Sequence, residues 1–216
     1  MDKLRAHAEI KRHIKLAEEF VSKIGIAQNS EELRNSWEGF LSEFARSMGR
    51  IIKYSTSAST ELKTWGYRLK TDYNANDAGL VYLREARNVA EHGLIPFAEF
   101  IDAAVNIGGC LTVIGGSSNI IFSNNFVNGT NTGNFEVAVK EGKISNVQGR
   151  INTPITNIPT RVNLHAVRNP EKNNRTYPPP DSIFKVKLNT GDAASLASAA
   201  MDGLNRTYST METLDK

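Results

Sequence analysis

Apolar residues recur at helical spacing through the first ninety positions. Leu4, Ala8, Ile14, Ala17, Val21 and Ile24 are interleaved with Lys, Arg and Glu across residues 3 to 24, which predicts a long amphipathic helix. Asn29-Ser30-Glu31-Glu32 opens a second, with Asn29 suited to cap it and Glu32 three residues on as the reciprocal partner. That helix runs through Leu33, Trp37, Phe40, Leu41, Phe44, Ala45 and Ile51 towards Tyr54. Trp37, Phe40, Leu41 and Phe44, at i, i+3, i+4 and i+7, read as bundle core. A turn over 55–59 leads to a shorter third helix over 60–71, carrying Leu62, Trp65 and Leu69. Asn74 to Asp77 breaks the pattern again, and Asn76 or Asp77 can cap a fourth helix that Gly93 stops. Pro96 then starts a fifth helical segment, Phe97 to Val105.

From Cys110 the hydrophobic period drops to two. Leu111 to Ile114 and Asn119 to Phe122 are short β-prone runs. Phe135, Val137 and Val139 alternate with Glu136, Ala138 and Lys140, and Glu141-Gly142 turns this strand into Lys143 to Val147 as a hairpin. Val162, Leu164 and Ala166 alternate with Asn163, His165 and Val167, which puts His165 on the polar side. Phe184, Val186 and Leu188 alternate with Lys185 and Lys187. Between the last two runs, Arg168 to Asp181 reads as a stiff polar loop around Pro178-Pro179-Pro180. Gly191-Asp192 introduces a final helix through Leu204, and the chain is expected to fray after Thr207. The fold class is α+β: an antiparallel helical bundle over residues 1–107, then a small antiparallel β domain with a closing helix over 108–216.

Composition narrows the picture. With 216 residues, 40% hydrophobic and 23% charged, the chain suits one large or two small globular domains. A net charge of +3 neither diagnoses nor opposes a nucleic-acid partner. The lone Cys110 forbids a disulfide framework within one chain and reads as a small buried hydrophobe. The charged stretch from Met1 to Lys15 has no apolar core for a signal peptide, and no run approaches a membrane helix. A cytoplasmic protein without membrane association is expected, its three Asn-X-Thr sequons (Asn128, Asn174, Asn205) idle.

Familiar catalytic signatures are missing. There is no G-x-x-x-x-G-K-[ST], G-x-G-x-x-G, H-E-x-x-H, C-x-x-C or G-x-S-x-G, so no cofactor and no metal site are expected. His7 and His13 lie six residues apart, which is not ligand spacing on a helix, and both read as surface residues. What remains is Tyr82 to Gly93. On an ideal helix, Arg87, Glu91, Arg84, Asn88, His92 and Glu85 fall on one arc of roughly 160°. Val89, Tyr82, Ala86, Ala90 and Leu83 fall opposite. Asn88 and His92 are i, i+4 neighbours.

Arg87-Asn88, three residues, then His92, on the last long helix of an N-terminal bundle, resembles the motif of the HEPN superfamily. The resemblance covers roughly residues 3 to 107. It implies a helical bundle that dimerises so that two motifs face each other, and in many such proteins a metal-independent endoribonuclease of toxin–antitoxin, phage-defence or RNA-processing systems. A homodimer, an RNA substrate and a cognate antitoxin or other partner protein are the partners implied. Arg87 and His92 would then be catalytic, with Asn88 in support.

The residue types suit that chemistry. Metal-free RNA cleavage needs a group to activate the ribose 2′-hydroxyl and a cation to stabilise the phosphate as it becomes pentacoordinate. Histidine titrates near neutrality, and arginine presents a fixed fork to phosphate oxygens. Arg84 could add phosphate affinity, while Glu85 and Glu91 balance charge. Arg150, Arg161, Arg168, Lys172, Arg175, Lys185 and Lys187 outnumber Glu171 and Asp181, with Tyr177 among them. Arg168, Lys172, Arg175 and Tyr177 are therefore candidates for single-stranded RNA contacts. Two alternatives stand beside the nuclease: a non-catalytic dimeric HEPN-like module in which Arg87 pairs with Glu91 on a partner interface, and a merely solvated face.

Overall fold

The computed structural model describes residues 3–58, 60–92, 98–107, 111–114, 118–127, 130–140, 143–151, 154–172, 174–188 and 192–216. Gly93, Pro96, Cys110, Asn128, Gly191 and the Glu141-Gly142 turn lie outside the described residues. The protein is α+β. Its helices are α1 (Lys3–Ile26), α2 (Ser30–Thr56), α3 (Thr60–Thr71), α4 (Ala78–His92) and α5 (Ala193–Leu214), with a single π-helical turn, Asp72–Asn76, between α3 and α4. Twelve strands lie among the described residues: β1 (Ala98–Ile101), β2 (Ala104–Ile107), β3 (Leu111–Ile114), β4 (Ser118–Val127), β5 (Thr130–Lys140), β6 (Lys143–Ile151), β7 (Ile155–Ile158), β8 (Arg161–Leu164), β9 (Val167–Asn169), β10 (Arg175–Tyr177), β11 (Ser182–Ile183) and β12 (Val186–Lys187).

The chain forms two compact units, each from discontinuous segments. The first takes Met1–Ile26, Arg34–Glu99 and Val162–Lys216, and the second Ala27–Leu33 and Phe100–Arg161.

In the first unit, α1 and α2 run antiparallel. His7 meets the Tyr54 ring edge-on at 5.4 Å, Glu9 pairs with Arg50, and His13 meets Glu43. The predicted aromatic stripe is core: Trp37, Phe40, Leu41 and Phe44 are at most 1% exposed. Helix α5 also lies antiparallel on α1, since Glu18 bonds Asn205, Lys11 pairs with Glu212 and His7 with Asp215. It belongs to the helical unit and supplies part of its core, including Leu196, Ala200, Leu204 and Met211. The expected fraying after Thr207 does not occur: Tyr208 and Met211 are buried and the helix continues to Leu214. Asp192 caps it as expected, accepting from the Ala194 and Ser195 amides at 3.0 and 3.3 Å.

The apolar stripe of α1 is shifted from its expected course. Ala6, Ile10, His13, Ile14, Ala17 and Ile24 are buried, whereas Leu4 is 79% exposed. The reading of His7 and His13 as surface residues is thereby corrected. His13 is 4% exposed, with Nδ1 2.5 Å from Glu43 Oε2, and Arg46 completes that carboxylate at 2.5 Å. A buried imidazole needs such a partner. His7 is half-buried, its two ring nitrogens 2.9 Å from Tyr208 Oη and from Asp215 Oδ2.

The segment expected as a fifth helix, whose residues from Phe100 on belong to the second unit, is extended instead. Residues 98–101 are β1 and 104–107 are β2, and β2 pairs antiparallel with β3 on one side and β7 on the other. Two flanking ladders outweigh the weak helical signal of a short alanine-containing run. A second sheet has the order β4-β5-β6. The expected hairpin is present with Lys140 opposite Lys143, and Phe135, Val137 and Val139 join Val105 in a small core. Asn29 Oδ1 accepts from the Glu32 amide at 2.8 Å, as a cap should, but Glu32 returns its bond to the Gln28 amide, at 2.9 Å.

Candidate functional site on helix α4

Helix α4 starts where Asp77 Oδ1 accepts from the Leu80 amide at 3.0 Å. Its apolar arc is buried as predicted through Tyr82, Leu83, Ala86 and Val89. The polar arc is not uniform. Glu85 is 0% exposed and forms the centre of an ionic cluster. Its Oε1 lies 2.6 Å from Arg84 Nη2 and 2.6 Å from Lys172 Nζ, and its Oε2 accepts from Asn169 Nδ2 at 2.5 Å. Burial pushes this carboxyl up, but the bonds from Lys172, Asn169 and Arg84 together hold it below its ordinary value.

Arg84 is further committed to Tyr73 O and Asn74 Oδ1, at 3.2 and 2.7 Å, with its guanidinium over the Tyr73 ring. Burial raises the Tyr73 hydroxyl to about 12. Arg84 and Lys172, both expected to contact substrate, are thus occupied in binding Glu85. The signal was present in the sequence: Glu85 is the arc member nearest Val89, at the apolar border, but its partners come from 84 and 87 residues downstream.

Those partners sit on a hairpin where a stiff loop was expected. Strand β9 pairs antiparallel with β10, with Arg175 opposite Asn169, Thr176 opposite Arg168 and Tyr177 opposite Val167. A three-residue strand with buried Val167 and Asn169 packs against α4, and the polar composition of 168–181 hid it. Opposite residues share a face, so Arg175 and Tyr177 lie on the α4 side with Asn169, while Arg168 lies on the other. Tyr177 is buried, and its ring carries the Arg175 guanidinium at 5.3 Å. His165 is exposed as expected, its carbonyl accepting from Tyr82 Oη at 2.8 Å.

Arg87, Asn88 and His92 occupy the last turns of α4. Arg87 Nη2 pairs with Glu91 at 2.5 Å, and Nη1 donates to Asn88 Oδ1 at 3.3 Å. The pair is half-exposed, at 33% and 40%, yet Arg87 Nε is buried without a partner among the described residues. His92 is exposed. At about 1.5 Å rise per residue, His92 lies roughly 16 Å along the axis from Val81, which lines the Arg175–Tyr177 region. The structure joins Arg87 to Asn88, seats Lys172 on Glu85 in the middle of the helix, and leaves Arg175 and Tyr177 near its start. Among the described residues, no group of three or more His, Cys, Asp or Glu could hold a metal ion, and no helix is long and apolar enough to cross a membrane.

Compared with protein-family models, curated proteins and solved structures, the chain matches none.

Proposed function

We propose that this protein is a HEPN-type endoribonuclease acting without a metal ion at a site assembled from two copies of the chain. The observation that supports the reading is the placement of half-buried Arg87 and Asn88 and exposed His92 on the last two turns of α4, while the neighbouring Glu85 is fully buried. His92 takes the proton of a ribose 2′-hydroxyl, O2′ bonds to phosphorus and the P–O5′ bond breaks, leaving a cyclic phosphodiester. The imidazole of the second copy returns a proton to the leaving oxygen. Arg87 stabilises the pentacoordinate phosphate. It must first leave Glu91, but an exposed ion pair is worth only about 0.2–1 kcal/mol, and a phosphate competes well for a guanidinium fork. Asn88, with Oδ1 held by Arg87, keeps its amide donors for the ribose or the imidazole.

Incubation with mixed RNA in EDTA tests this directly. Wild type cleaves, and His92→Ala and Arg87→Ala lose at least 10²-fold in rate. Cleavage that survives His92→Ala undiminished, or a chain that stays monomeric at micromolar concentration, overturns the proposal.

A second reading is favoured by the Arg87–Glu91 pair itself: a non-catalytic module whose α4 face binds its own copy or a partner protein. It expects Arg87→Ala and His92→Ala to weaken association and to leave RNA untouched under every condition.

A further inference from the structure

At the start of α4, away from the motif, lies a cleft of about 490 Å³, within the usual size of small-ligand sites. Its floor is apolar: Val81 of α4, Tyr177 at the end of β10 and Pro180 are buried. Its rim carries Arg175 on one strand and Asp181 beyond the three prolines. Among the described residues neither has an ion-pair partner, in contrast to Arg84, Lys172 and Arg87, which are all paired. Among the described residues the Asp181 carboxylate accepts one bond, from the Ser182 hydroxyl at 3.1 Å, and retains most of its acceptor capacity. Arg175 is stacked on Tyr177, which fixes the guanidinium at the edge of the cleft.

A ligand that suits this lining has a flat apolar body, an anionic group and two adjacent N–H donors. We propose that the cleft binds a guanine nucleotide. The base lies on the Val81–Tyr177–Pro180 floor, its N1–H and N2–H donate to the Asp181 carboxylate, and its phosphate is taken by Arg175. Guanine is the one RNA base that offers two parallel donors to a carboxylate. Adenine and cytosine offer one amino group beside an acceptor, and uracil one N–H between two acceptors. The three prolines stiffen the segment between the two charged residues and hold their separation. The site stands whether or not Arg87 and His92 cleave RNA.

The test is a titration of the full chain with the 5′-monophosphates of guanosine, adenosine, cytidine and uridine, followed by amide chemical shifts. GMP binds about tenfold or more tightly than the others, the range expected of one bidentate pair, with shifts at 75–81 and 175–181. Asp181→Asn brings GMP down to the level of AMP. Arg175→Gln weakens all four nucleotides alike and leaves guanosine without phosphate unchanged. Both side chains are exposed, so the variants fold, and an unaltered melting curve verifies it. Equal binding of the four nucleotides, GMP affinity unchanged in both variants, or shifts confined to the end of α4 overturns the assignment. A single-stranded RNA with one guanine that binds more tightly than GMP identifies a strand as the source, and the reverse identifies the free nucleotide. In either case Asp181→Asn abolishes the preference for guanine.

Discussion

Two glutamates six residues apart on α4 give opposite outcomes when neutralised. Glu91 holds Arg87 in a solvent-exposed i, i+4 pair. Glu91→Gln therefore shifts stability by less than about 0.5 kcal/mol and frees the guanidinium, raising affinity for single-stranded RNA several-fold in a binding assay at low salt. Glu85 is buried against Arg84, Lys172 and Asn169. Glu85→Gln takes the carboxylate from half-buried Arg84 and leaves Lys172, 46% exposed, to turn to solvent, so it costs about 1–3 kcal/mol, read as a lowered denaturation midpoint. The folded Glu85 carboxyl titrates below its unfolded value of about 4.3. Its contribution is complete above that value and is lost as pH falls through the lower, folded one. Acid unfolding monitored from pH 6 to 2 is accordingly shallower in Glu85→Gln than in wild type. At this scale the sequence exposed the motif residues and their helix neighbours but hid the partners of Glu85. Arg87–Glu91 and Asn88 are helix neighbours that spacing alone identifies, whereas Lys172 and Asn169 reach Glu85 only through the fold.

The small hairpins carry strain that hydrophobic alternation does not register. Phe184 and Lys185, expected to continue a strand, form the turn between β11 and β12 with φ of 49° and 66°. Two successive left-handed residues make a primed hairpin turn, ordinarily filled by Asn and Gly. Two contacts hold Phe184 there. Its amide donates to Asp77 Oδ2 at 2.8 Å, and its ring lies over Gly203 of α5, where a Cβ would stand 1.9 Å from Phe184 Cδ2. Gly203→Ala must displace that ring and destabilises the protein by about 1–3 kcal/mol or more, measured by chemical denaturation. Asp77→Ala removes both the helix cap and the turn contact, and its cost exceeds the roughly 1 kcal/mol of a cap alone. The element boundaries read from sequence hold where period and capping agree, as at the starts of α2 and α4 and at the inner ends of the β5–β6 hairpin, whose strands otherwise extend beyond the reading to Thr130 and Ile151. They fail at 98–107 and 167–177, where short strands owe their existence to neighbours rather than to their own composition.

At the scale of the molecule, the placement of α5 is the largest departure from expectation. It was expected to close the β domain, but its last two turns join α1 and α2 instead. Asp215 accepts from Tyr54 Oη at 2.7 Å and from Lys3, and faces His7 at 2.9 Å. Burial alone would raise its carboxyl, yet those bonds together hold it below the usual carboxylate range. The Tyr208 hydroxyl, at 2.8 Å, and Lys11 do the same for Glu212. Both contributions are complete above the unfolded carboxylate range and fade as pH falls through the lower folded values. Deleting residues 208–216 removes Tyr208, Met211 and Asp215 from this seam and lowers the thermal midpoint by several degrees. Chain fraying in the intact protein would leave that midpoint unmoved. The placement of Ala194, Leu196, Ala197, Ala200, Met201 and Leu204 along one side identified the helix, but nothing in a one-dimensional pattern says which partner its apolar face will meet.

The antiparallel seating of α5 on α1 also orders events in time. Partners such as Glu18 and Asn205, or His7 and Asp215, are separated by about the whole chain, and contacts of that span form late because a long loop must close first. On the ribosome, α1 to α4 and both segments of the second unit, Ala27–Leu33 and Phe100–Arg161, are synthesised before α5, so the face that α5 covers is still bare. A stalled or shortened nascent chain therefore presents an incomplete helical core with exposed apolar surface, the kind of intermediate that chaperones bind and that aggregates.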